Sequence, residues 1–132
     1  MRFLSAIIRA INKLRKGKRK MNTYIVKVPI IDKPKTEVFD YENSYEQIRD
    51  GVGGFIERAP VPEIETKENY RIDCFVDEEG LVKRPPRPLN LNLAEWCAMS
   101  LFGDAVFVAH DENGDTVGLT QEDAKKIMAL FP

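Results

Sequence analysis

The chain has 132 residues, with 20 Lys and Arg against 21 Asp and Glu, one His and two Cys. That length suits a single domain, and 43% apolar with 31% charged residues is the balance of a soluble globular protein, too apolar for full disorder. No apolar run is long enough to span a bilayer, and one His with two Cys at unrelated spacing excludes a zinc finger and leaves little for a His-rich metal site.

Charge is split along the chain. Residues 1–20 hold eight basic side chains and no acid, so residues 21–132 keep 12 of the 20 basic and all 21 acidic ones, a balance of −9. Within the basic arm, Leu4, Ile7, Ile8, Ile11 and Leu14 recur at helical spacing with Arg9, Asn12, Lys13 and Lys16 turned away, and Gly17 ends the pattern before Lys18-Arg19-Lys20. The spacing predicts a basic amphipathic helix. Its Arg9, Lys13, Lys16, Lys18, Arg19 and Lys20 suit an anionic membrane surface, nucleic-acid phosphates or an acidic partner. It does not have the layout of a signal peptide. Because Met21 opens a coherent strand, residues 1–20 equally read as a dispensable extension from an upstream start.

From residue 21 the predicted elements follow in order. Thr23–Val28 alternates and is β-branched, a strand ending near Pro29. Ile30–Phe39 reads as a loop with a short extended piece. Ser44 and Gln47 match a capping box for a helix over Tyr45–Asp50 that buries Tyr45 and Ile48 and closes at Gly51. Val52–Glu57 is a strand, Pro60 and Pro62 break it, and a polar loop runs to Asn69. Tyr70–Val76 is the clearest alternating strand, followed by the turn Asp77–Gly80 and a short strand at Leu81-Val82. Lys83–Leu89 carries three prolines and is irregular. Asn92, with Glu95, starts a helix whose face is Leu93, Trp96, Cys97, Ser100 and Leu101. Ala105–Ala109 is a buried strand, Asn113-Gly114 a hairpin turn, Thr116–Leu119 the return, and Thr120 the cap of a helix with Ala124, Ile127, Met128 and Phe131 as its apolar stripe. The prediction is one small α+β domain over residues 21–132: about five short strands in an antiparallel or mixed sheet, with three short helices on one face.

Gly51-Val52-Gly53-Gly54-Phe55-Ile56-Glu57 resembles the Val-Gly-Gly-Tyr-Ile-Glu strand of the DUF3846 family, small bacterial and phage proteins of unknown function. The acidic hairpin Val76–Leu81, the Pro-rich approach to Leu89-Asn90-Leu91-Asn92, Phe102–Val108 and Leu119-Thr120 with Glu122 are similar to that family in the same order, over about residues 22–127. Residues 58–69 are longer than the pattern and the basic arm lies outside it. The resemblance implies the family's fold and a setting in phages and mobile elements. It brings no activity with it.

Chemistry is sparse. The glycines at 51, 53 and 54 lead into a strand, whereas a dinucleotide or phosphate loop leads into a helix; a helix stop and a close backbone approach account for them. Asp111, Asn113, Asp115 and Glu122 fall on the spacing of a calcium loop, but Thr116 stands where the sharp turn needs Gly. His110 is the sole imidazole, with Cys97 or Ser100 as its conceivable nucleophiles. Lys83–Pro88 includes a PxxP and reads as a stiff basic loop. Cys74 and Cys97 read as buried thiols of a reducing compartment. No cofactor, metal or small ligand is inferred. The binding candidates are Asn90, Arg84, Arg87, Asp77, Glu78 and Glu79. The expected function is non-enzymatic: a phage or mobile-element protein in the bacterial cytoplasm that binds a host protein through an acidic surface, with inhibition of a nucleic-acid-binding factor as its sharper form. The alternative is an accessory protein held at membrane or nucleic acid by residues 1–20.

Overall fold

The computed structural model describes residues 23–66 and 69–132; the predicted amphipathic helix lies outside them. Six strands form one sheet: β1 (Tyr24–Val28), β2 (Lys35–Val38), β3 (Ile56–Ala59), β4 (Tyr70–Asp77), β5 (Ala105–Asp111) and β6 (Thr116–Val117). The helices are α1 (Ser44–Val52), α2 (Leu91–Cys97) and α3 (Gln121–Ala129). Every pairing is antiparallel, in the order β2-β1-β5-β4-β3. β6 takes the stretch of β5 at Ala109 and His110 that β1, paired at Ala105–Phe107, leaves free.

β5 explains the layering. Ala105 through Ala109 are all fully buried, and an uninterrupted apolar strand requires cover on both faces. Phe107 packs with Val26, Val28, Cys74, Leu93 of α2 and Ile127 of α3, and Trp96 and Phe131 each stand 6.0 Å from its ring. Val106 and Val108 meet Ile25, Phe39 and the α1 residues Ile48 and Val52 on the other face. The helices thus divide between the two faces rather than sharing one. Each large apolar side chain withdrawn in this way stabilises the fold by about 1.5–3 kcal/mol.

α1 departs from its predicted bounds for local reasons. The Gln47 side chain does reach back, but to the preceding loop: its Oε1 accepts from Asp40 N–H at 2.7 Å and its Nε2 donates to Val38 O at 2.8 Å. Asp40 Oδ1 accepts from the N–H groups of Glu42 and Asn43, which shapes the entry turn. The helix then runs through Gly51, where a Cβ would lie 2.6 Å from Val106 Cγ2, so glycine permits the close seat on β5. It ends at Gly53, at φ +77°. Val52 is therefore helical and buried, Tyr45 is exposed, and the following strand starts at Ile56.

Two further differences concern short pieces. The extended piece in the first loop is the edge strand β2, and Leu81-Val82 forms no strand but lies in an exposed turn. Thr120 caps α3 as expected, its Oγ1 accepting from Asp123 N–H at 3.1 Å. Among the described residues no helix is long and apolar enough to cross a membrane.

Candidate functional site

The glycine run, the acidic hairpin, the Pro-rich segment and Phe102-Gly103 meet at one end of the sheet. Asp77, the last residue of β4, has a fully buried side chain there. Lys83 Nζ pairs with its Oδ2, Arg87 Nε stands 3.5 Å from the same oxygen, and its Oδ1 accepts from Glu79 N–H at 2.9 Å. Both cations also donate to Gly53 O, at 2.9 and 2.8 Å. The glycines make room for this. A Cβ on Gly54 would come within 2.7 Å of the Asp77 carboxyl, and Gly53 meets the Arg87 guanidinium as closely while adopting positive φ. Burial would raise the Asp77 carboxyl, but Lys83, the Glu79 N–H and Arg87 outweigh it and hold the carboxyl below its ordinary value.

This arrangement sorts the sequence candidates. Asp77 and Arg87 form an internal brace, with Lys83 as its third member, which the sequence did not nominate. Glu78, Glu79 and Arg84 are exposed on the turn that the brace fixes. Around them Phe55, Leu81 and Val82 are 52%, 61% and 69% exposed, and Arg49 covers one face of the Phe55 ring at 5.0 Å. Asn90 is corrected outright. It is 0% exposed and is itself the cap of α2: Oδ1 accepts from Leu93 N–H at 2.9 Å, while Nδ2 donates to Val28 O and Gly103 O at 3.2 and 2.9 Å. Its amide is consumed inside the fold and presents nothing to a partner. Asn92, expected as the cap, instead donates to Pro29 O and Asp32 O.

The opposite end holds a group the sequence missed. His110 Nδ1 lies 2.6 Å from Asp73 Oδ2, and Arg58 Nε lies 3.3 Å from Asp73 Oδ1. The one signal for it was an Asp inside the otherwise apolar centre of β4. Cys97, its conceivable nucleophile, sits in α2 across the sheet and donates to Leu93 O at 3.2 Å. Ser100 lies beyond the helix and is exposed. Asp111 braces the β5–β6 turn, its Oδ1 accepting from Asn113 and Asp115 N–H at 2.9 Å each. Cys74 is a free, fully buried thiol whose burial pushes its ionisation far up, whereas Cys97 is half-buried. Arg9, Lys13, Lys16, Lys18, Arg19 and Lys20 lie outside the described residues.

A six-stranded antiparallel sheet with helices on both faces, closed at one end by a glycine-seated carboxylate and two cations, defines a small α+β domain. The chain belongs to the DUF3846 family, described as a domain of unknown function, whose model matches residues 24–132. No curated protein and no solved structure matches it.

Proposed function

We propose that this is a non-enzymatic, protein-binding domain of a phage or mobile element, which engages a host protein in the bacterial cytoplasm through the turn after β4. The observation that carries this reading is the braced presentation of Phe55, Leu81 and Val82 beside exposed Glu78 and Glu79. Single exposed apolar residues are ordinary, whereas large ones gathered on a fixed support are the pattern of a binding surface. Acids beside an apolar centre suit a basic surface with an apolar pocket, and the −9 balance of residues 21–132 steers such an encounter. A nucleic-acid-binding factor has a surface of that kind, so its inhibition is the sharper form of the proposal.

Affinity capture from bacterial lysate tests it, with the full chain, a chain starting at Met21, and a Leu81→Ser, Val82→Ser, Glu79→Lys variant, each with nuclease. The expected result is one host protein retained by the first two, released by salt and lost with the variant. If only the full chain retains material, and nuclease or detergent releases it, residues 1–20 are the binding element and the proposal fails.

A further inference from the structure

β2 is an edge strand of the sheet, and its register on β1 fixes which of its backbone groups are free. Phe39 N–H donates to Thr23 O at 2.8 Å, one step beyond the pairing of Tyr24 with Val38. Hydrogen-bonded and non-bonded pairs alternate along an antiparallel ladder. Lys35 and Glu37 therefore turn their peptide groups toward β1, while Thr36, Val38 and Asp40 turn theirs outward. Gln47 closes one end of that edge, because its amide already takes Val38 O and Asp40 N–H, at 2.8 and 2.7 Å. Pro34, which has no N–H, closes the other end. Four outward groups remain between them: Pro34 O, Thr36 N–H, Thr36 O and Val38 N–H. Natural sheets usually blunt an edge along its length. Here the two ends are sealed and the middle is open.

These four groups are self-complementary. Two copies of β2 laid antiparallel about a two-fold axis at Thr36 exchange both Thr36 bonds, and each Val38 N–H meets the partner's Pro34 O, so none of the four is left over. The side chains select the same register. Lys35 and Glu37 share one face of β2. Lys27 pairs with Glu37, and the register on β1 sets Lys35 directly opposite Lys27, cation against cation. The two-fold pairing gives Lys35 a carboxylate, the partner's Glu37, on both sides of the axis. On the other face Val38, 57% exposed, comes against the partner's Pro34. An axis at Glu37 would set that acid against its own copy and call on a Val38 carbonyl that Gln47 already occupies. An axis at Lys35 would oppose two lysines. We propose that β2 joins two copies of this chain, edge to edge, into one continuous antiparallel sheet. β2 is four residues long, so the contact belongs to the small, transient class that buries less than about 1,200 Å². It stands apart from the turn after β4, and neither surface depends on the other.

Sedimentation velocity of the full chain tests this, over concentrations from about 10 μM to about 1 mM, the range of a weak complex. The unmodified chain is expected to pass from monomer to dimer across it. Lys35→Glu leaves two acids on that face of β2 and Glu37→Lys leaves two bases. Each variant alone should raise the dimer dissociation constant about tenfold or more, the scale of two cross-strand pairs turned from attractive to repulsive. An equimolar mixture of the two should dimerise as the unmodified chain does, because each copy supplies the charges the other faces. That recovery also shows both variants to be folded. Thr36→Pro removes the central donor at an outward edge position, where proline is tolerated, and should keep the parent's circular dichroism while losing the dimer. The proposal is overturned if the unmodified chain stays monomeric throughout, or if it associates and neither charge variant weakens it, which would place the contact elsewhere. It is equally overturned if the mixture is no tighter than the separate variants, or if Thr36→Pro dimerises unchanged.

Discussion

Nε of Arg87 lies 3.5 Å from Oδ2 of Asp77, and both atoms are sealed from solvent. With Lys83 on the same oxygen, one carboxylate balances two cations at the foot of the exposed turn. Asp77→Asn keeps the shape and removes the charge, leaving both cations facing a neutral amide. The variant should lose about 2–3 kcal/mol, less than the fully buried case because Lys83 and Arg87 reach water. Urea unfolding measures it, and a loss under half a kcal/mol would show that the brace is not structural.

The same residue sets an acid limit. Because the folded carboxyl titrates below its ordinary value of 3.8, the unfolded chain takes up this proton first as pH falls. The stabilisation from Asp77 is complete above that value and is lost as pH falls from it through the lower folded one. The urea midpoint of the unmodified chain should drop across that interval, and the Asp77→Asn midpoint should drop less steeply. Parallel curves would exclude Asp77 as the source.

At the other pole Tyr70 O–H donates to Asp123, tying β4 to α3. Burial first, and then this bond, push the phenol from 10.0 up to about 12. Its contribution to stability is therefore full below pH 10.0 and lost as pH rises through about 12. A tyrosinate absorbance step near the upper value should vanish in Tyr70→Phe. That variant should also lose about 1–3 kcal/mol, since buried Asp123 is left without this donor.

Asn90 and Asn92 separate by role. Asn90→Ala removes a helix cap and strands the carbonyls of Val28 and Gly103, so it should cost about 2–4 kcal/mol. Asn92→Ala frees only the Pro29 and Asp32 carbonyls at the surface and should cost about 1 kcal/mol or less. Equal losses in thermal or urea unfolding would contradict the assignment of the cap.

These two asparagines also show where sequence reasoning stops. Either could cap a helix beginning near residue 91, and Glu95 favoured Asn92. What decides for Asn90 is a pair of carbonyls 62 and 13 residues away, which no local rule sees. The buried strand Ala105–Ala109, the Asn113-Gly114 turn and the Thr120 cap were legible because each is settled by its own neighbours. Gly51 misled because a glycine that ends a helix and one that seats it against Val106 look alike in sequence. Leu81-Val82 has strand composition, yet the Asp77 brace on Lys83 and Arg87 bends the chain there into a turn. The Asp73–His110 pair depends on the β4–β5 register and could be found only once that pairing was known.

β1 begins at Tyr24, bridged to Leu119, and so the chain enters the sheet at the pole of His110, while Leu81 and Val82 crown the other. A molecule coupled to a surface through Thr23 therefore stands upright, its braced turn facing the medium. One attachment site thus offers an oriented bait for proteins.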